Sequence, residues 1–176
     1  MGRRAGIAVG FAALLAAAAA GLGGCSYSEP RTAPTGAPTT KSSLNSCTVL
    51  SVGEVGKGLG RIVTPGVRGN ASIEGGVACV YYGPSVAPGA DPDTPVPDSV
   101  RVVLVTGPKA QPWYQDYLAK VAPITIKDLG DDAFYDGTAS VNVLEGSSYL
   151  RISVIKTTGA DEAAEIALAT IASPRL

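Results

Sequence analysis

Histidine is absent from all 176 residues. Its absence removes the commonest general base near neutral pH and the commonest metal ligand. Ser-His-Asp and Cys-His mechanisms are excluded with it, as is a His-ligated zinc site. Positive charge is not in excess either: 14 Lys and Arg stand against 15 Asp and Glu. There is no basic stripe to receive phosphates, so nucleic acid is not an expected partner. Cysteine occurs three times, with no CxxC spacing to suggest a redox or metal pair. Glycine clusters such as Gly75-Gly76 lack phosphate-loop spacing and read as turns, and no cofactor is indicated.

What is present begins at the N-terminus. Arg3 and Arg4 precede an uncharged run from Ala5 to Gly24, which ends in Leu22-Gly23-Gly24-Cys25. A basic start, an apolar segment and small residues at a cut site make a secretory signal. The cysteine at the boundary gives it the shape of a lipobox, because its thiol can carry a diacylglyceryl thioether. Residues 1–24 are therefore expected to be a lipoprotein signal peptide, with Cys25 lipidated and first in the mature chain. An uncleaved span of roughly 20 apolar residues is the alternative, but the run is mostly Ala and Gly and weakly apolar for its length. Each buried methylene contributes roughly 0.8 kcal/mol, so two or three acyl chains anchor stably where one is marginal. The expected location is the extracytoplasmic face of the cell membrane. Removal of Arg3 and Arg4 with the signal leaves 12 basic and 15 acidic residues, a mildly acidic mature protein.

Residues 26–43 are Ser, Thr, Pro, Ala and Gly with almost no large apolar side chain. Such a stretch cannot bury enough surface to offset its ordering entropy. With Cys25 it forms the tether, 25–43. From 44 to 176 the pattern becomes that of one globular domain. Cys47 and Cys79 remain within it. In an exported protein such a pair is most simply a disulfide, closing a loop to which chain entropy assigns roughly 3–4 kcal/mol.

Ser51-Val52-Gly53-Glu54 has the form of a capping box, and Val52, Val55 and Leu59 then share one helical face. Strands are expected near 61–64, over 77–82 and over 100–105, the last apolar on both faces except at Arg101. Pro112 opens a second helix, 113–121, in which Trp113, Tyr117 and Val121 recur at core spacing. Strands follow at 124–127 with 133–135, at 140–144 and at 149–155, with turns at Asp136-Gly137 and Glu145-Gly146. In the last strand Leu150, Ile152 and Val154 alternate with Arg151 and Ser153. A final helix, 161–172, carries Ala164, Leu168 and Ile171 as its buried stripe. The expectation is an α+β single domain of order α-βββ-α-βββ-α, an antiparallel sheet with helices packed on one face.

The lipobox, the tether, Cys47 with Val49-Leu50, the Glu54 to Gly60 helix end, Cys79 with Tyr81-Tyr82, Leu129-Gly130-Asp131-Asp132-Ala133-Phe134 and the C-terminal Ala/Leu helix resemble a family of actinobacterial lipoproteins. These carry the domain of unknown function 3558. Many members have a tryptophan shortly after the second cysteine, where Tyr81 and Tyr82 stand here. The resemblance implies a lipid-anchored, envelope-facing α+β domain with a disulfide, and brings no catalytic residues.

Candidate chemistry is sparse. Asp131-Asp132 and the Asp91-Pro92-Asp93 spacing raise a cation, which needs several oxygen ligands, but each reads more simply as a solvated turn; no metal site is expected. The proline-rich segment 83–98, with Asp91, Asp93 and Asp98, is a long hairpin loop and a candidate recognition surface. Tyr114 lies off the helix stripe, is expected to be exposed and is a further candidate for a ligand or partner surface. These features point to a non-catalytic ligand-binding or accessory domain with an envelope protein, lipid or glycan partner. The alternatives are an envelope hydrolase using carboxylates alone and a purely structural wall-associated protein.

Overall fold

Capping begins the order of this fold. In a computed structural model that describes residues 44–73 and 75–176, the Ser51 hydroxyl accepts the Glu54 amide while Glu54 Oε2 accepts the Ser51 amide at 2.8 Å. This box opens α1 (Val52–Leu59), which ends at Gly60. The signal, Cys25 and the tether lie outside the described residues.

Three strands follow: β1 (Val67–Ala71), β2 (Gly76–Tyr82) and β3 (Ser99–Thr106). The expected strand at 61–64 does not form. Pro65 interrupts the segment, which touches the sheet through the Thr64 amide donating to the Tyr82 carbonyl at 2.9 Å. The first strand instead starts at Val67 and pairs back on β2, Val67 opposite Val80. After a short 3-10 turn comes α2 (Ala110–Leu118), with Pro112 in its first turn. Then come β4 (Ile124–Thr125), β5 (Asp132–Tyr135), β6 (Val141–Glu145), β7 (Ser148–Lys156), β8 (Gly159–Ala160) and α3 (Glu162–Ala172). The turns at Asp136-Gly137 and Glu145-Gly146 join β5, β6 and β7 as expected.

Every pairing is antiparallel, in the order β1-β2-β3-β7-β6-β5-β4, with β8 beside the end of β7. The described residues thus form a single α+β domain. β3 and β7 lie at its centre, paired over eight residues from Ser99–Ile155 to Thr106–Ser148. Both faces of β3 are apolar, so both need cover, and here the helices divide. On the first face α1 and α3 pack over Val100, Val102 and Leu104 of β3, Val141 and Val143 of β6, and Leu150, Ile152 and Val154 of β7. On the second face α2 packs over Val103, Val105, Phe134, Leu144 and Tyr149. The single helical layer expected from the element order is corrected to two layers, because Val103 and Val105 would otherwise face water at roughly 1.5–3 kcal/mol each.

The disulfide between Cys47 and Cys79 ties the turn ahead of α1 to the middle of β2. Tyr81 continues that contact, its hydroxyl lying 3.3 Å from the Cys47 carbonyl. Gly58 matters for the helix pair: a Cβ there would come within 2.7 Å of the Leu168 side chain, so its absence lets α1 and α3 approach. Two stripes differ from expectation. Val52 of α1 is exposed while Val55 and Leu59 are buried, and α3 buries Glu165, Leu168, Ala169 and Ala172 rather than Ile171.

Candidate functional site

Strand alternation places Arg101, Val103, Arg151 and Ser153 on the second face, among Val80 of β2 and Asn142 of β6. The cross-strand pairs Val80–Arg101–Ser153 and Ala78–Val103–Arg151–Asn142 form two adjacent rows there. α2 covers one end of this face. The 83–98 loop covers the opposite end. Between them runs a groove whose three segments share Pro95, Arg101, Ile73 and Arg151.

The loop is fixed from its base. The Gly83 amide donates to the Asp98 carbonyl at 2.7 Å. Asp98 itself is buried at 1% exposure and does not belong to a recognition surface. Its carboxylate accepts the Ser85 amide at 3.0 Å and lies 3.4 Å from Arg61 Nε. Burial pushes the carboxyl up, but the Ser85 hydroxyl and amide and the Arg61 charge outweigh it and hold Asp98 below its usual range. The expectation for Asp98 is thus corrected: the loop closes on it because the base needs an internal acceptor. Asp91 and Asp93 are exposed as expected, and both are used locally. Asp91 accepts the Asp93 amide at 3.0 Å and the Thr94 hydroxyl at 3.1 Å. Asp93 accepts the Asn70 amide on the outer edge of β1, which blocks that edge against further strand pairing. The Tyr82 hydroxyl donates to Ala90 at 3.3 Å. Arg101 donates to the carbonyls of Pro92 and Asn70, both at 2.8 Å.

Tyr114 is the second correction. It is wholly buried, edge-on to Phe134 at 5.3 Å and to Tyr149 at 5.7 Å. The helix begins at Ala110, so the stripe Ala110–Tyr114 faces the sheet and turns Trp113 and Tyr117 to the flank, half-buried. Burial above all, reinforced by the nearby Asp132 carboxylate, pushes the Tyr114 hydroxyl well above its ordinary range. Trp113 lies against the β1–β2 hairpin at Gly75, where φ is 76° and a Cβ would collide with the indole at 2.1 Å. Glycine is required there on both counts. Ile73, at the same hairpin, is 86% exposed and forms the groove's outer lip.

Under the groove lies a polar network. The Asp136 carboxylate accepts the amides of Thr138, Ala139 and Ser140 at 2.9, 2.9 and 3.1 Å, together with the Ser140 hydroxyl and the Tyr117 hydroxyl at 2.8 Å. Arg151 stands 3.5 Å from it, donates to Ser140 Oγ at 2.9 Å and to the Tyr117 hydroxyl oxygen at 3.0 Å, and lies 4.4 Å over the Tyr117 ring. The Tyr149 hydroxyl donates to Asn142 at 2.9 Å. Burial acts to raise Asp136, yet the Ser140 hydroxyl, the loop amides and Tyr117 together hold it far below the usual carboxylate range. A satisfied network of this kind rigidifies its surroundings, so the Arg151 side of the groove is preorganised.

Comparison with known proteins finds no family model, no curated protein and no solved structure that matches this chain.

Of the four residues offered from the sequence as a ligand or partner surface, Asp91, Asp93, Asp98 and Tyr114, Asp93 is the one on the groove lining, in the segment with Asn70, Ile73 and Pro95. Asp131 accepts the Gly146 amide at 2.7 Å and serves the β6–β7 turn. Among the described residues no cluster of three or more metal-ligating side chains occurs, and no helix is long and apolar enough to cross a membrane. Arg101, Arg151 and Ser153 were the missed residues. Their signal was visible: they are the polar interruptions of the two central strands. Alternation alone assigns them to a solvated face, because it does not say what sits above that face.

Proposed function

We propose that this protein is a lipid-anchored envelope lipoprotein, held through Cys25, whose folded domain binds a ligand in the groove between α2 and the 83–98 loop. The groove carries the reading. Three central-strand polar residues face a preorganised hollow bounded by Trp113 and Tyr117 on one side and Pro92 and Pro95 on the other. Ligand sites are concave and mostly apolar with a few placed polar groups, and function sits on loops held by a rigid scaffold. The lipobox ending at Cys25 and the resemblance to the actinobacterial lipoproteins with domain of unknown function 3558 support export and anchoring, and a disulfide suits an oxidising exterior. The domain acts without catalysis of its own, as a binding or accessory module toward an envelope protein, lipid or glycan. The carboxylate hydrolase gains no support from Asp91, Asp93, Asp98 or Asp136, each of which already accepts hydrogen bonds from within the fold, Asp93 from β1 and the others from their own loops.

Two measurements test this. Mass spectrometry of membrane-extracted protein should find acyl chains on Cys25; an unmodified N-terminus downstream of it overturns the anchor. A photoreactive residue at Thr94, on the groove rim, should crosslink in intact cells to a molecule that the same residue at Thr170 on α3 does not capture. Equal capture from both positions overturns the groove as the site.

A further inference from the structure

The middle segment of the groove is a cavity of about 180 Å3 between the 83–98 loop and the sheet. Local features of the chain leave it open. Ser153 is the smallest side chain on this face of β7, where it stands between Arg151 and Ile155 and directly across from Arg101. The two arginines beside it lean apart. Arg101 reaches toward β1, donating to the carbonyls of Pro92 and Asn70. Arg151 reaches toward α2 and the start of β6, where Tyr117, Ser140 and Asp136 hold it. On the β1 side the loop comes down onto the sheet at Gly69, where a Cβ would lie 3.0 Å from Pro92. What remains is a slot with Val80, Val103 and Ile155 as its floor and Pro92 and Pro95 as its roof.

The polar groups of the slot are nearly all spoken for. Both guanidiniums are engaged by the protein itself, so the lining holds no charge in need of a partner. The Ser99 hydroxyl donates to the Val96 carbonyl at 2.6 Å and the Thr94 hydroxyl to Asp91 at 3.1 Å. Ser153 carries the one lining hydroxyl that makes no hydrogen bond among the described residues. From this arrangement we propose that the cavity binds a neutral, ring-sized molecule with one hydroxyl or carbonyl oxygen, its ring between the prolines and the valines and its oxygen on Ser153. The proposal rests on the groove being the ligand site. Volume selects the ring: a protein cavity of about 150 Å3 accommodates a benzene molecule, and a long chain would not fit. The lining selects neutrality. An anion or a cation would give up its hydration to mainly apolar walls, and side chains already bonded elsewhere do not restore it. A plain hydrocarbon would strip water from Ser153 and leave its hydroxyl unpaired; one oxygen on the ligand repairs that loss.

Amide NMR of the full chain in detergent tests the assignment with benzyl alcohol, toluene, benzoate and benzylammonium, four probes that share one ring. Saturation separates the site from partition into the micelle. Benzyl alcohol should shift the Ser153 and Val103 amides saturably, about tenfold more tightly than either charged probe and about fivefold more tightly than toluene. Ser153→Ala should abolish the preference over toluene. Ser153→Leu should abolish saturable shifts by both; if that variant unfolds, Ala139→Leu at the cavity end serves the same purpose. A charged probe binding as tightly as benzyl alcohol overturns the neutral assignment. A preference over toluene that survives Ser153→Ala overturns the role of Ser153, and saturation that survives a folded filling variant overturns the cavity. If no probe saturates while crosslinks from Thr94 remain specific, the neutral-ring assignment falls and the groove reading stands; if both fail, both fall.

Discussion

On the first face of the sheet, β3, β6 and β7 present Val100, Val102, Leu104, Val141, Val143, Leu150, Ile152 and Val154, and two helices and a disulfide close over them. On the second face the same strands present Arg101, Val103, Asn142, Arg151 and Ser153, and one helix and a proline-rich loop leave a groove between them. The first face is organised by apolar area and chain crosslinking. The second is organised by hydrogen bonds around Asp136 and Arg151. Apolar core packing and the groove are thus separated across the thickness of one sheet. Removing a first-face element should unfold the domain, and removing a second-face one should loosen the groove first.

The largest expected effect is on the first face. Cys47→Ser opens the crosslink between the α1 turn and β2 and should lower unfolding free energy by about 3–4 kcal/mol in denaturant titration. A loss under about 1 kcal/mol would mean that the helix pair alone holds the turn.

Next comes Glu165, an acid of α3 that is wholly buried. Its Oε1 accepts the Val154 amide at 2.9 Å, while Oε2 finds no hydrogen-bond partner among the described residues. Burial above all, with Asp136, Asp161 and Glu162 nearby, pushes its carboxyl up to about 8. The folded chain therefore holds a proton that the unfolded chain releases near pH 4.5. The contribution of Glu165 to stability should be greatest at and below that value and decline as pH rises toward 8. Glu165→Gln keeps the acceptor and removes the titration. It should flatten the decline and exceed the wild type at pH 8 by on the order of 2–3 kcal/mol; parallel stability curves for the two proteins would refute this.

On the second face Asp136→Asn should cost about 2 kcal/mol at pH 7, since hydrogen bonds to a charged acceptor are the stronger ones. Its sign against pH is opposite to that of Glu165. The Asp136 carboxyl is held low, so its contribution is complete above its ordinary value of 3.8 and is lost as pH falls below that. The asparagine variant should lose the acid-limb slope, and its Tyr117 and Arg151 resonances should broaden while those of α1 do not. Broadening across both faces would show that the two are not separable.

The smallest expected effect is at the first-face rim. Arg175 donates to Glu54 at 2.6 and 3.0 Å and to the Val49 carbonyl at 2.8 Å, joining the C-terminus to the start of α1. The Arg175 hydrogen bonds, then the Ser51 amide, bring the Glu54 carboxyl down to about 2. Both side chains are partly exposed, so Arg175→Ala should cost only about 0.5–1 kcal/mol, falling further in high salt. A salt-independent loss would point to packing instead.

Legibility in the sequence followed the range of the interactions. The Ser51–Glu54 box, the turns at Gly137 and Gly146 and the central place of β3 are encoded within a few neighbouring residues, and they appear as expected. The orientation of α2 was not legible. Trp113–Tyr117–Val121 and Ala110–Tyr114 are both four-residue stripes, and only Phe134 and Tyr149, brought from distant strands, decide between them. Asp98 was misplaced for a similar reason: its partners Ser85 and Arg61 lie far along the chain. The groove residues were visible as polar interruptions, but their purpose depends on the loop folded above them.

By itself the sequence determined an antiparallel α+β domain, its cysteine pair and the expectation of an exported, lipid-bearing N-terminus, because these rest on local pattern and residue chemistry. Tertiary structure decided that α2 crosses to the second face, that Tyr114 and Asp98 are interior, and that Arg101, Arg151 and Ser153 meet at a cavity. Burial of a side chain is settled by what packs against it, and here the packing partners come from strands and loops that only the folded chain brings together.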